Sequence, residues 1–245
     1  MSGILPIAVK TVRDLSPSMM RLVFEIDGFE RLRPTPHPDE WVSLWFPDAT
    51  GALPRPLPRA FLVGPSGGRL PRARSRPYSL RRIDPVAGTV TIDIVRHEGG
   101  LAAGWAARAR PGDRLLMSQP EGRFRLPAGA GRVLVFADIT GLPALARIVE
   151  SLPPRVRLSA EIALPCPGDR PDLPLGPGAR LRSHPMGDAA LLPCPAEAFV
   201  PGRDYVWIAA EAAVVAGLKR HFLGQGATAR DLVAIGYWIR GRSRR

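Results

Sequence analysis

Lysine is nearly absent from this chain. Of 245 residues only Lys10 and Lys219 are lysines, so 32 of the 34 basic residues are arginines, and against 22 acidic residues they leave a net charge of +12. The arginines are spread along the sequence, and with 28 prolines they suggest GC-rich coding. A positive field attracts anionic ligands. No groove-reading motif and no basic cluster interleaved with aromatics is present, so nucleic acid is not an expected partner. Cysteine is scarce as well. Cys166 and Cys194 are too few for a thiolate cluster or a disulfide scaffold, and two reduced thiols are expected. The histidines, His37, His97, His184 and His221, show no metal-ligand spacing, and no metal site is expected. A Gly-x-Ser-x-Gly elbow, a phosphate loop ending in Gly-Lys and a catalytic carboxylate pair are all missing, so no side chain is assigned as catalytic. Long apolar runs are missing too. The most apolar stretch, 206–218, is short and contains Glu211, which excludes a membrane span. The N-terminus lacks a cationic segment followed by an apolar one. A soluble, cytoplasmic chain without membrane insertion is expected, with a monomer as the simplest assembly.

The first half of the chain carries strand patterns. Ile7–Val12 and Trp41–Phe46 read as strands, and in 20–26 Leu22, Phe24 and Ile26 share one face. The cleanest alternation is 90–96, where Val90, Ile92 and Ile94 face one way and Thr91, Asp93 and Val95 the other. A strand over 114–118 follows the turn Pro111-Gly112-Asp113. Short strands separated by turn signals predict a small antiparallel barrel. The Pro/Gly/Arg-rich stretch 48–74 reads as a long loop. Beyond Pro127 the pattern changes. The run 132–136 is continuously apolar, as in a parallel strand buried on both faces. Thr140 is placed to cap a helix over 141–152. Strands are expected at 156–163, 205–209 and 232–239, a Pro/Gly loop at 165–178, and a helix over 212–223 ending at Gly224. The fold class expected is an N-terminal antiparallel six-stranded β-barrel over 1–127, followed by a smaller α/β domain with a mostly parallel sheet over 128–245.

Two segments carry chemistry. In Arg76-Pro77-Tyr78-Ser79-Leu80-Arg81, Pro77 holds the backbone extended and restricts Arg76. Arg76 and Tyr78 then share a face and Ser79 takes the other. A guanidinium, a phenol and a hydroxyl at a barrel rim suit a flavin: Tyr78 packs on it, Arg76 offsets diphosphate charge and Ser79 hydrogen-bonds. The plainer alternative is an Arg-rich loop with one surface tyrosine. Further on, a strand containing Asp93 runs through His97 into Gly99 and Gly100, and Leu101, Ala102 and Ala103 open a helix over 101–109. Glycines allow close backbone approach, so this turn is a candidate diphosphate cradle. Trp105 is expected in the core. For His97 a structural and a cofactor role both stand.

Together these motifs resemble the siderophore-interacting protein family, the FAD-binding ferric-siderophore reductases of ferredoxin-reductase-like fold. The marks are 76–81, the 97–105 loop, Pro111-Gly112-Asp113, Thr140-Gly141-Leu142-Pro143-Ala144, Trp207 with Glu211, and Gly236-Tyr237-Trp238 with Gly241. The resemblance implies FAD on the barrel, NADH or NADPH on the second domain as electron donor, and a ferric siderophore chelate as substrate. It implies FAD contacts at Arg76, Pro77, Tyr78, Ser79, Asp93, His97, Gly99, Gly100, Leu101, Ala102 and Ala103. Asp138 and Thr140 would lie between the domains, and Glu211, Tyr237, Trp238 and Arg240 on the nucleotide and substrate side. Alanines stand at 137 and 209–210 where the family pattern carries glycine-containing motifs. They motivate a second reading, a flavin-binding module of the same fold without reductase activity.

Overall fold

The computed structural model describes residues 4–48, 50–54, 75–187 and 198–241. Most of the expected 48–74 loop, and Cys194, lie outside the described residues. Six strands close an antiparallel barrel: β1 (Ile4–Ser16), β2 (Met19–Ile26), β3 (Trp41–Trp45), β4 (Ser75–Asp84), β5 (Thr89–Val95) and β6 (Arg114–Ser118), in the order β1-β2-β5-β4-β3-β6. The alternation read from the sequence is the barrel's inner lining. Leu22, Phe24, Val90, Ile92 and Ile94 are all buried, and Trp105 packs between Phe24 and Phe46. Strand β1 is longer than expected because its start pairs with β6 and its end with β2. Helix α1 (Leu101–Ala106) is shorter than the expected 101–109. The residue before a proline disfavours helical geometry, so Pro111 acts back on Arg110, and the chain leaves the helix through i→i+3 bonds from Arg108 and Ala109.

The second half forms five parallel strands, β7 (Arg132–Asp138), β8 (Arg157–Leu164), β9 (Arg180–Pro185), β10 (Asp204–Glu211) and β11 (Leu232–Trp238), in the order β11-β10-β7-β8-β9. Every residue of β7 and β10 is buried, as expected for central parallel strands. Helix α2 (Leu142–Ser151) covers one face and α3 (Ala212–Gly224) the other. Strand β9 escapes sequence reading because it is a polar edge strand from which Leu181 packs into the core.

Two helix ends differ from expectation. Thr140 does not cap α2. The Asp138 carboxylate accepts from the Thr140 N–H at 2.8 Å and caps a short 3-10 turn, 139–141, that leads into α2. A carboxylate on the last strand residue reaches that amide, whereas Thr140 already lies inside the turn. Helix α3 ends near Gly224, but the left-handed turn falls on Gly226 (φ +91°), with Gln225 as the C-cap. Gly141 is required for another reason: a Cβ there would stand 2.9 Å from the Ala209 carbonyl and 3.0 Å from the Ala137 Cβ.

The α2 face of the sheet is pressed onto the barrel, and Met19 and Phe124 belong to its hydrophobic cluster. Two wholly buried acids tie the seam. Asp39 accepts from the Arg123 and Phe124 amides (2.8 Å each) and from Trp207 Nε1 (3.3 Å), and Glu40 accepts from Arg147 (2.7 Å). Arg81 pairs with Glu150 at 2.6 Å. At the other end of the seam the β1–β2 turn meets the β8–β9 connection, where Asp169 accepts from Ser16 Oγ (2.6 Å), the Ser18 amide (2.9 Å) and Cys166 Sγ (3.1 Å). Burial by itself would raise the Asp169 carboxyl. The hydrogen bonds from Ser16, Ser18 and Cys166 outweigh it and hold the group below its ordinary range.

Two outcomes are expected. Gly141→Ala overpacks the junction of β7, β10 and α2, lowering unfolding free energy in urea by about 1–3 kcal/mol. Asp169→Asn lowers it at neutral pH by about 1–3 kcal/mol. Since the folded Asp169 carboxyl lies below its unfolded value of about 3.9, its contribution is present above that value and fades as pH falls through the folded one. The gap between native protein and variant should therefore shrink on acidification. A gap that stays constant would mean that the carboxylate's charge plays no part in the clasp.

Candidate cofactor site at the domain seam

Strand β4 presents Arg76, Pro77 and Tyr78 in register with Leu44, Ser43 and Val42 of β3. Pro77 is exposed, and Tyr78 is half-buried against the barrel core. Burial pushes the Tyr78 hydroxyl well above its usual range, and the positive charge of Arg76, two residues along the same strand, opposes that shift. Ser79 points the other way. It is buried, and its Oγ is 3.4 Å from the hydroxyl of Tyr237 on β11. Burial also raises Tyr237, with the Ser79 bond opposing. Both phenols are therefore neutral donors at physiological pH. The rim of the barrel and the last strand of the sheet thus meet at a pair of hydroxyls.

The turn after β5 lies on the same barrel core. Leu101 and Trp105 pack against the cluster that Tyr78 also touches, and Ala102 is buried within it. Gly99 has φ +69°, with open space where a side chain would stand. A Cβ on Gly100 would come within 2.1 Å of the His97 ring, so His97 lies folded across that glycine. His97 is exposed, its Nδ1 3.2 Å from the Glu98 carbonyl. Ala103 is buried at the start of α1. Asp93 is drawn away from these groups. It is buried in a bidentate pair with Arg21 across the β2–β5 ladder, both contacts at 2.7 Å.

A second cluster forms where the parallel strands end. The strand order reverses between β7 and β10, and the crevice outside the strand ends at such a point is where open α/β sheets bind ligands. Asp138 sits at its lip. One oxygen accepts from the Thr140 amide (2.8 Å) and hydroxyl (2.5 Å). The other accepts from the Glu211 amide (3.0 Å) and Trp238 Nε1 (2.7 Å). Burial raises the Asp138 carboxyl, and these bonds recover only part of the cost. Glu211 caps α3 through the Ala213 and Val214 amides and accepts from the Arg240 amide (3.2 Å). The Arg240 guanidinium lies over the Trp238 ring, 5.8 Å from its centroid. Asp138, Thr140, Glu211, Trp238 and Arg240 are thereby one connected group. Within it Asp138 positions the others, because internal donors occupy both its oxygens.

Sequence reasoning missed Asp39, Glu40 and Arg147, which hold the two halves of the site together. The available signal was an acid pair directly before an apolar strand, a costly placement unless partnered. Among the described residues no residue other than glycine has positive φ, so Ala137, Ala209 and Ala210 lie in backbone that alanine adopts without strain.

A guanidinium beside a half-buried phenol, a hydroxyl on the next residue and a glycine turn with open space at Gly99 form a donor set that fits a flavin dinucleotide. Comparison with known proteins agrees. A siderophore-interacting FAD-binding domain profile matches residues 8–124, and a siderophore-interacting protein profile matches 130–241. An uncharacterized protein of Mycobacterium tuberculosis is 32% identical, the alignment covering 96% of this chain and 90% of that one. The NADPH-dependent ferric-chelate reductase of Escherichia coli is 28% identical over 95% of this chain and 91% of its own. The crystal structure of a siderophore utilization protein from T. fusca superposes with a TM-score of 0.82 at 29% identity, covering 99% of this chain and 96% of that one. The barrel-plus-sheet arrangement is ferredoxin-reductase-like, and the chain belongs to the siderophore-interacting protein family.

Proposed function

We propose that this protein is a flavin-dependent reductase that takes reducing equivalents from NADH or NADPH and delivers them to a ferric siderophore chelate, releasing Fe(II). It acts as a monomer in the cytoplasm, where reduced nicotinamide nucleotides are supplied. The carrying observation is the placement of Arg76, Tyr78 and Ser79 on one barrel strand, with Ser79 meeting Tyr237 across the seam. Bound FAD supplies hydride acceptance and one-electron release, which explains why no acid–base pair is needed. The chain's own residues bind and orient. Tyr78 offers a ring face and Arg76 a fixed positive charge for the diphosphate. The backbone at Gly99 is open to close approach, and the His97 ring lies over Gly100 beside it. Ser79 and Tyr237 offer neutral hydroxyls to ring heteroatoms. Asp138 fixes the spacing of Glu211 and Trp238, which border the crevice for the nicotinamide nucleotide. Arg123, over the Trp41 ring at 5.7 Å, and Arg240, over Trp238, supply positive charge for an anionic chelate. The reductase reading is favoured over a non-reductase flavin module because a relative named as a ferric-chelate reductase aligns along 95% of this chain.

Purified protein mixed with FAD should show a flavin spectrum that NADH or NADPH bleaches anaerobically. Adding a ferric chelate should restore the colour while a chromogenic trap reports Fe(II). Retained FAD that neither nucleotide bleaches would overturn the reductase reading in favour of the module. Arg76→Ala and Tyr78→Ala should each weaken FAD binding by tenfold or more, about 1.4–3 kcal/mol, in a fluorescence titration. Unchanged affinity in both variants would move the cofactor elsewhere.

A further inference from the structure

We propose that the pole of the α/β domain where its parallel strands begin is a peripheral docking surface for anionic lipid headgroups. Five parallel strands share one starting pole, and arginines accompany all five starts. Arg132 opens β7, Arg157 opens β8 with Arg155 just before it, Arg180 opens β9, Arg203 precedes β10, and Arg230 precedes β11. Helix α3 leaves the far end of β10 and leads back to the start of β11, so its later turns bring Lys219 and Arg220 toward the same pole. Arg132 is used internally, buried in a bidentate pair with Asp204 at 2.9 and 2.5 Å. The other seven basic side chains are exposed.

Among the described residues of these strand starts, the turns immediately before them and the ends of α2 and α3, the acids are Asp204, Asp231 and Glu150. Asp204 and Asp231 are buried, and Glu150 is paired with Arg81. Asp204 holds Arg132, and Asp231 accepts from the amide and hydroxyl of Thr228. Cations therefore predominate among the exposed side chains described at this pole, although the arginines that supply them are dispersed along the sequence.

Two aliphatic side chains stand out among these cations. Val200 is 43% exposed and Leu223 is 47% exposed. Their chain neighbours Phe199 and Phe222 meet edge to face with ring centroids 5.8 Å apart, and Pro201 lies against Gly226, so the segments that carry the two exposed aliphatics pack together at this pole. Exposed aliphatics on a pole rich in Arg and Lys match the interfacial region of an anionic bilayer, where headgroups answer the charge and the acyl boundary takes the apolar tips. A nucleic acid would answer the charge and leave Val200 and Leu223 in water. The surface is built from turns and one helix end, with no element shaped to enter a groove. Docked in this way, the protein keeps Asp138, Glu211 and Trp238, at the opposite strand ends, directed away from the membrane.

The test is co-sedimentation with vesicles near physiological ionic strength. Vesicles of phosphatidylcholine with phosphatidylglycerol should bind the protein, and vesicles of phosphatidylcholine alone should not. The combined variant Arg203→Glu, Lys219→Glu, Arg220→Glu, Arg230→Glu should lose at least about tenfold in partitioning. A control set on the barrel, Arg13→Glu, Arg33→Glu, Arg110→Glu, Arg114→Glu, changes net charge equally and should retain most of it. Circular dichroism and thermal unfolding verify the fold of both sets. If the pole variant unfolds, the pair Lys219→Glu, Arg220→Glu on the exposed face of α3 serves instead, with a smaller loss in the same direction. Leu223→Ser should weaken binding without altering its salt dependence. Equal losses from the pole and barrel sets would overturn the proposal, leaving net charge alone as the cause. So would tighter binding to duplex DNA than to anionic vesicles at the same salt, if the pole variant abolished it.

Discussion

Two buried carboxylates hold this molecule in one piece. Asp39 and Glu40 sit side by side ahead of β3, out of contact with water, and each accepts from a side chain of the second domain, Asp39 from Trp207 and Glu40 from Arg147. Leaving a buried acid without its partner costs about 3–5 kcal/mol, a large share of the stability of an ordinary domain. The seam is therefore a committed interface. Its commitment sets the spacing between the barrel rim and the end of β11, and so the meeting of Ser79 with Tyr237. The site is a property of the docked pair of domains and of neither alone.

What the sequence made legible was whatever rests on short-range periodicity. Leu22, Phe24, Val90, Ile92 and Ile94 announce the barrel interior because alternation translates directly into inward and outward faces. The continuous apolar run of β7 likewise announces a strand covered on both sides. Strand β9 was invisible because an edge strand of arginine, serine and histidine carries no such signal. The Thr140 cap was assigned to the wrong residue because the choice between Asp138 and Thr140 depends on where the strand stops, which is set by pairing with β8 and β10. The grouping of arginines was hidden for a related reason. Parallel topology brings together residues some 25 positions apart, and composition alone shows only dispersion.

The candidate site divides in the same manner. Arg76, Tyr78 and Ser79 were readable because they lie within four residues of one extended strand, where facing follows from counting. Tyr237, Trp238 and Glu211 were reached through family resemblance, and the structure supplies what resemblance lacked: one carboxylate, Asp138, ties the Glu211 backbone to the Trp238 side chain, and Ser79 meets Tyr237. Asp93 shows the opposite outcome. The family resemblance implied a cofactor contact there, but Arg21 directly across the ladder takes both its oxygens. Local pattern identifies which side chains are available in principle, and long-range pairing decides which remain so.

Strand β11 stands at the edge of its sheet and is held by β10 along one flank. After Leu232 its residues are half-buried, whereas every residue of β10 is buried. Tyr237 thus reaches the barrel rim from the outermost strand. Edge pairing is where a sheet frays first. Peeling β11 from β10 would part Ser79 from Tyr237 while the barrel and the inner strands stay whole, so the two hydroxyls meet at the hinge side of a door.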